Sequence, residues 1–250
     1  MAIFSSSFLS VVSRQNECEL NYKKLNLTGK ISDEKSMKIY KDNQDDLAEK
    51  IAKFTNLNDK HLYISTLCND DAIFLNTEFE RKNTLIYQDI TPNFVVGCQT
   101  QTISDFEKKV NLTFNQPFTL LNVLYHLSKE QNIAGINAYF IKFDNHIATL
   151  ICDESRVYYA NSTDMESIFN SESSDNDEIF YEILRNEITI FYGSETGDFI
   201  NNIFIYNDDS LSQSISYIIY TRILVKTTLL SVNLANFINK LAIKEKKKKR

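Results

Sequence analysis

The stretch Tyr139–Ser162, YFIKFDNHIATLICDESRVYYANS, sets out a fold by its punctuation. Three apolar and β-branched runs, Ala138 to Phe143, Ile147 to Asp153 and Arg156 to Asn161, are parted by Asp144-Asn145-His146 and Asp153-Glu154-Ser155. Asp, Asn and Ser fit tight turns because their short polar side chains bond the nearby backbone, so the stretch predicts three strands of an antiparallel meander. Beyond it, Ser171 to Asp177 reads as a polar, acidic loop. Phe180, Ile183, Leu184, Glu187 and Phe191 then mark a helix over Asp177 to Tyr192. Ile203 to Tyr206 reads as a strand after a Gly193–Gly197 loop. Asp209-Ser210 caps an expected long helix carrying Leu211, Ile215, Ile218, Ile219, Ile223 and Leu230 on one face. Asn233 to Ala242 is an expected last short helix.

The N-terminal half has the same grammar. Ile3 to Arg14, Glu17 to Asn26, and a segment holding Ile31, Met37 and Ile39 after the Thr28-Gly29 turn predict a second three-stranded meander. Asp45-Asp46 opens a helix with Leu47, Ile51 and Phe54 at helical spacing, ended by Asn56 to Asp59, and Leu62 to Leu67 is a short apolar strand. Ala72 to Leu75, Thr84 to Ile86 and Phe94 to Cys98 read as strands and Thr102 to Val110 as a short helix. Pro117 precedes an expected helix from Phe118 to Glu130.

A β-β-β-α-β-α unit written twice is the ground plan of the actin-like, or ribonuclease H-like, α/β fold: two lobes, each a mixed sheet flanked by helices. The expected first lobe is 1–134 with the return of 232–243, the second 137–231, and 244–250 a basic tail. No sequence repeat accompanies the repeated architecture.

Composition narrows the chemistry. The 250 residues include 43% hydrophobic and 24% charged, which suits a soluble globular protein and excludes disorder, collagen or coiled coil as the whole answer. Five glycines are few for a chain that would cradle phosphates on glycine-rich loops. The last seven residues hold six bases and one acid, and the remainder, with 21 bases and 32 acids, carries about −11. An acidic body argues against nucleic acid as a partner. The basic end, Lys244, Lys246, Lys247, Lys248, Lys249 and Arg250, reads either as a frayed solubilising terminus or as a contact with anionic lipid. Cys18, Cys68, Cys98 and Cys152 form no CxxC pair and, with only His61, His126 and His146, give no zinc spacing. They are expected to be reduced, buried thiols of a cytosolic protein. No signal peptide is expected at Met1 to Val12, and Ile215 to Val232, interrupted by Arg222 and Lys226, is not expected to span a membrane.

Three stretches carry a resemblance: Tyr139–Ser162; Glu178–Asp208, EIFYEILRNEITIFYGSETGDFINNIFIYND; and Ser231–Glu245, SVNLANFINKLAIKE. In order and spacing over about 110 residues they resemble the PilM family and the cytoplasmic part of the GspL family, the actin-like proteins of type IV pilus and type II secretion platforms. The resemblance implies a non-catalytic scaffold at the cytoplasmic face of the inner membrane, serving a pilus, secretion or DNA-uptake machine. Its implied partners are a bitopic platform protein and the motor ATPase, with weak attraction to anionic membrane.

An actin-like ATPase holds phosphate on two β-hairpin turns, with an Asp for the Mg²⁺ shell, and adenosine on a glycine-rich turn. The expected counterparts are Phe4-Ser5-Ser6-Ser7-Phe8, Asp144-Asn145-His146 and Asn207-Asp208-Asp209. None has the glycines, no Walker A or GxGxxG run occurs, and no cofactor is expected. Glu182, Asp208, Asp209 and Asp144 are candidate paired carboxylates for acid–base or metal work, against the plainer reading as turn and cap residues; no acid lies within the strand before Asp144. His146 is read as a surface residue and Cys152 as core. The alternatives are a divergent ATPase or sugar-kinase-like enzyme of this fold, and a free cytoplasmic adaptor.

Overall fold

The computed structural model describes residues 6–41, 47–55, 61–75, 79–165, 176–194, 199–207 and 211–248. Strands β1 (Ser6–Ser13), β2 (Glu17–Leu25) and β3 (Ile31–Tyr40) form the first meander. Helix α1 (Leu47–Phe54) follows, then β4 (Leu62–Cys68), which runs parallel to β1. A small three-stranded sheet, β5 (Ala72–Phe74), β6 (Leu85–Thr91) and β7 (Phe94–Gln99), leads into α2 (Thr100–Val110). The first half ends with β8 (Gln116–Thr119) and α3 (Leu120–Gln131).

The second half repeats the scheme. β9 (Asn137–Phe143), β10 (His146–Cys152) and β11 (Val157–Asp164) are the meander, followed by α4 (Asn176–Gly193) and β12 (Asn202–Asn207). Then come α5 (Ile215–Ile223), β13 (Lys226–Ser231) and α6 (Leu234–Lys248). The two large sheets share one order, β3-β2-β1-β4-β8 and β11-β10-β9-β12-β13. In each, the first strand is flanked by its antiparallel neighbour and a parallel strand.

Three apolar clusters show the layering. Leu9 and Val11 of β1 join α1 and α2 on one outer face, while Phe8 and Val12 turn to the other. Ala138 and Phe140 of β9 join α4 and α5, while Tyr139, Ile141 and Phe143 turn inward. The central cluster thus holds both inner sheet faces with α3 and α6 between them. Helix α6, last in the second half, packs on β1, β2 and β4, while α3 packs on β9, β10 and β11. The hydroxyl of Ser10 on β1 donates to the Ala235 carbonyl, and Asn239 Nδ2 donates to the carbonyl of Asn21 at 2.9 Å and to its Oδ1 at 2.8 Å. These bonds sit in the apolar interface and satisfy the Ser10 hydroxyl and the Asn239 amide nitrogen, which would be costly to bury unpaired, while Asn239 Oδ1 has no hydrogen-bond partner among the described residues.

Several expectations are corrected. The long helix over Leu211 to Leu230 ends at Ile223 and is followed by β13. Leu224 takes a left-handed conformation, φ 62°, and its N–H bonds Tyr220 O, closing the helix. Lys226–Ser231 then pairs parallel with β12, where Thr227 and Thr228 suit the pleat. The helix expected from Phe118 starts at Leu120, and Phe118 and Thr119 lie with Pro117 in β8; β8 is an edge strand, where the missing N–H of Pro117 is tolerated, and Thr119 caps α3 by accepting Asn122 N–H at 3.2 Å. The last helix does not stop at Ala242. Its Lys- and Glu-rich end contains no helix breaker, and it continues to Lys248, so most of the basic end is helical. Asp45-Asp46, Asn56–Asp59 and the Asp209-Ser210 cap lie outside the described residues.

Candidate functional site

The first expected phosphate turn lies elsewhere. Ser6, Ser7 and Phe8 are buried inside β1, with Ser7 Oγ accepting Tyr22 OH at 3.0 Å, because a serine-rich strand start resembles a turn only in composition. Phe4 and Ser5 lie outside the described residues. The β1–β2 turn is Arg14-Gln15-Asn16, closed by Arg14 N–H donating to Glu17 O at 2.8 Å. Its counterpart between β9 and β10 is Asp144-Asn145, with Phe143 opposite His146. Asp144 adopts φ 49°, a left-handed state that Asp and Asn reach more readily than other non-glycine residues.

These two turns touch. Gln15 N–H donates to Asp144 Oδ2 at 2.9 Å, and Arg14 Nη1 lies 3.9 Å from Asp144 Oδ1. The Arg14 guanidinium stacks 4.7 Å from the Phe143 ring centroid and donates through Nε to Glu19 Oε1 at 2.8 Å. Glu17 lies 3.8 Å from the same guanidinium, and Lys38 joins both glutamates, at 2.9 and 3.3 Å. Lys41 Nζ donates to Ser13 Oγ at 2.9 Å and to the Arg14 carbonyl. From the other turn, Lys142 Nζ donates to Asp144 O at 2.9 Å. The Arg14 side chain is 11% exposed. The β1 turn thus binds an anion through a backbone N–H and a guanidinium, and the anion is a carboxylate of the opposite turn.

Beside this contact the β4–β5 loop enters. Asn69 Nδ2 lies 3.1 Å from His146 Nε2, and the half-buried Asp70 accepts Leu121 N–H at 3.1 Å in the first turn of α3. Burial raises the Asp70 pKa to about 7; hydrogen bonds from Thr119, Leu121 and Ser162 oppose the shift and Asp71 adds to it. A carboxyl poised near neutrality is a trait of acid–base groups as well as of crowded structural ones. Here it caps a helix.

The other candidates scatter. Glu182 pairs with Arg185 at 2.6 Å on α4, away from Asp144, and Asp208 and Asp209 lie outside the described residues. Asn207 spends its side chain on Leu211, accepting its N–H at 3.1 Å and donating to its carbonyl at 2.9 Å. Among the described residues, no cluster of His, Cys, Asp or Glu could hold a metal, and all four cysteines are buried free thiols. Burial pushes Cys18 up to about 12 and Cys152 up to about 11, the chemistry of inert thiols. Of the basic end, Lys244, Lys247 and Lys248 are exposed on α6, Lys246 lies over the rings of Phe8 and Tyr63, and Lys249 and Arg250 lie outside the described residues. Among the described residues no helix is long and apolar enough to cross a membrane.

A groove of about 400 Å³ opens between β6, β8, α3 and the end of α6. It is lined by Gln88, Ile90, Phe118, Asn122, His126 and Lys248 among others. The Asn122 carboxamide oxygen is buried there without a hydrogen-bond partner. Burial, with help from Lys244, lowers the His126 pKa to about 4, so this wall is a neutral imidazole at physiological pH.

The duplicated sheets, exchanged helices and facing turns can be compared with known structures. One chain of a PilM–PilN type IV pilus biogenesis complex superposes with a TM-score of 0.61 at 9% identity, covering 97% of each chain. A Bacteroides thetaiotaomicron protein of unknown function with an actin-like ATPase fold gives 0.59 at 13% identity, covering 95% of each. The fold is actin-like. It is similar along its whole length to PilM, and also to the activator of 2-hydroxyisocaproyl-CoA dehydratase from Clostridium difficile with bound ADPNP, with a TM-score of 0.50 at 9% identity over 98% of this chain and 97% of that one. A family model described as a domain of unknown function (DUF8341) matches residues 172–247, less than half of the chain. No curated protein matches it in sequence.

Sequence reasoning picked Asp144 and its turn but missed Arg14, Gln15 and Asp70. Arg14 lies at the bend rather than in the strand because Ser13 pairs with Cys18, a register that the alternation of residues does not mark.

Proposed function

We propose that this protein is a non-catalytic actin-like scaffold, held peripherally at the cytoplasmic face of a bacterial inner membrane, in a machine of the type IV pilus, type II secretion or DNA-uptake kind. One observation carries the reading. Where the fold offers two turns to a polyphosphate, Arg14 and Gln15 of one turn are engaged by Asp144 of the other. A nucleotide would have to displace a short, charge-assisted contact and bring its phosphates beside Glu17, Glu19 and Asp144. In this reading the chain divides into a lobe of 1–134 with 232–243 and a lobe of 137–231.

The likeness to the PilM chain of a PilM–PilN complex supports a protein partner, and we assign that partner as a bitopic membrane protein of the platform, reached through a cytoplasmic segment, with the motor ATPase as a second partner. The groove beside Asn122 suits such a segment. Strands β6 and β8, which flank it, are both sheet edges, where an extended segment can add. The test is purification of the tagged full chain from solubilised membranes of its own cells. Recovery of a single-span protein, lost on Asn122→Leu, is expected. Recovery of the chain alone, entirely outside the membrane fraction, would favour a free adaptor. The enzyme reading draws support from the ADPNP-bound dehydratase activator, whose fold is the same. It requires the contact between the turns to open.

A further inference from the structure

The opposite end of the first sheet carries a second surface. β1 leaves this end at Ser6 and reaches the contact between the turns at Ser13. Here the β2–β3 turn meets the end of α6, with Lys247 Nζ 3.5 Å from Gly29 O. The turn is built rather than loose. Asn26 Oδ1 accepts Thr28 N–H at 3.0 Å, Thr28 Oγ1 at 2.7 Å and Lys30 N–H at 3.0 Å, and Gly29 supplies the positive φ of 76°. It holds Leu27 outward at 61% exposure, with Ile31 at 50% beside it. Between turn and helix lies a cavity of about 240 Å³ whose lining includes Phe8, Leu25 and Ile243, with Lys246 and Lys247 also in its wall. Lys246 lays its stem on this apolar floor, its Nζ 5.3 Å from the Phe8 ring centroid and 4.9 Å from that of Tyr63.

The charges on this face favour cations. Lys30 and Lys247 are exposed beside the turn, Lys244 and Lys248 are exposed on the neighbouring side of α6, where Lys248 lines the groove beside His126, and Lys249 and Arg250 follow in the sequence. The neighbouring acids are paired within the face: Glu245 with Lys248, Glu34 with the buried Lys23 and Asp33 with Lys35. An apolar tip among lysines, on a chain of net charge −6, matches an interface that is anionic outside and apolar a few ångströms below. Nucleic acid would satisfy the lysines and leave Leu27 in water.

We propose that the β2–β3 turn and the C-terminal end of α6 together form a docking site for an anionic lipid surface, with Leu27 and Ile31 entering the headgroup layer and Lys30, Lys244, Lys247 and Lys248 binding its phosphates and carboxylates. The site needs no protein partner, so it goes beyond the scaffold reading and its failure would leave that reading standing. Removing 244–250 is a poor test, because it would also strip Lys246 from the Phe8 and Tyr63 rings; surface substitutions are cleaner. The experiment is co-sedimentation of the full chain with phosphatidylcholine vesicles containing graded phosphatidylserine. Binding should rise with phosphatidylserine and fall steeply with salt. Lys30→Glu with Lys247→Glu should weaken it more than about tenfold, since each basic residue near such a surface contributes about fivefold. Leu27→Asp should weaken it about tenfold, while Leu224→Asp, at an exposed leucine just past the end of α5, should leave it unchanged. No phosphatidylserine dependence overturns the proposal. So does equal binding by Leu27→Asp and the native chain, which would leave the contact to the lysines alone. Circular dichroism on each variant separates lost binding from lost fold.

Discussion

Arg14 and Asp144 join the two halves through the turns that a nucleotide would otherwise bridge. Arg14→Ala should destabilise the chain by about 1–3 kcal/mol, because Glu17 and Glu19 then lose the guanidinium that one of them bonds at 2.8 Å, and urea denaturation reads the loss. Asp70 makes an opposite kind of prediction. Its folded pKa of about 7 lies above the unfolded value of about 3.9, so the native state holds a proton that the unfolded chain releases between them. Stability therefore falls as pH rises from about 4 to about 7, and Asp70→Asn should flatten that slope and add about 1–3 kcal/mol near pH 8. Denaturation midpoints at about pH 5 and about pH 8 check it. Asp153 works the other way. Burial raises its pKa, but bonds from Ser155, Tyr158 and Arg156 outweigh that and hold it at about 2, so its contribution is present above about pH 4 and is lost as pH falls toward 2. Of these residues, Asp144 and Asp153 were legible in the sequence because turn chemistry is local. Arg14 and Asp70 owe their roles to chain about 130 and 50 residues away, which no local pattern records.

Among the elements, the meanders and α1, α2, α4 and β12 followed from alternation and helical spacing. The α5–β13 segment did not. Ile215, Ile219 and Ile223 continue smoothly into Leu229 and Leu230, and spacing alone cannot tell a helix followed by a strand from one long helix. What ends α5 is the left-handed Leu224, an unusual residue for that conformation and 79% exposed. Leu224→Gly should therefore stabilise the protein by about 0.5–1 kcal/mol, read as a raised thermal midpoint, since glycine reaches that conformation without a Cβ penalty. In α3, Leu124 is fully buried between the two sheets. Leu124→Ala should cost about 2–5 kcal/mol by the methylene groups removed and the void left behind.

At the scale of the whole molecule, the duplicated order of elements was readable, and the return of 232–243 to the first half was among the expectations. The packing of α3 on the second sheet and the separate small β5–β7–β6 sheet were not, both being long-range choices. Ser10 and Asn239 record the α6 packing as polar residues at inward positions, a clue that only the fold makes intelligible. The actin-like plan brings two turns face to face, and this chain fills the gap between them with its own carboxylate and guanidinium. Calorimetric titration of the native full chain with ATP and ADP in the presence of Mg²⁺ tests that claim most directly. The expected result is no measurable binding at millimolar nucleotide, unchanged by His146→Gly, because the Arg14–Asp144 contact would remain. A micromolar dissociation constant for the native chain would contradict the account and promote the enzyme reading.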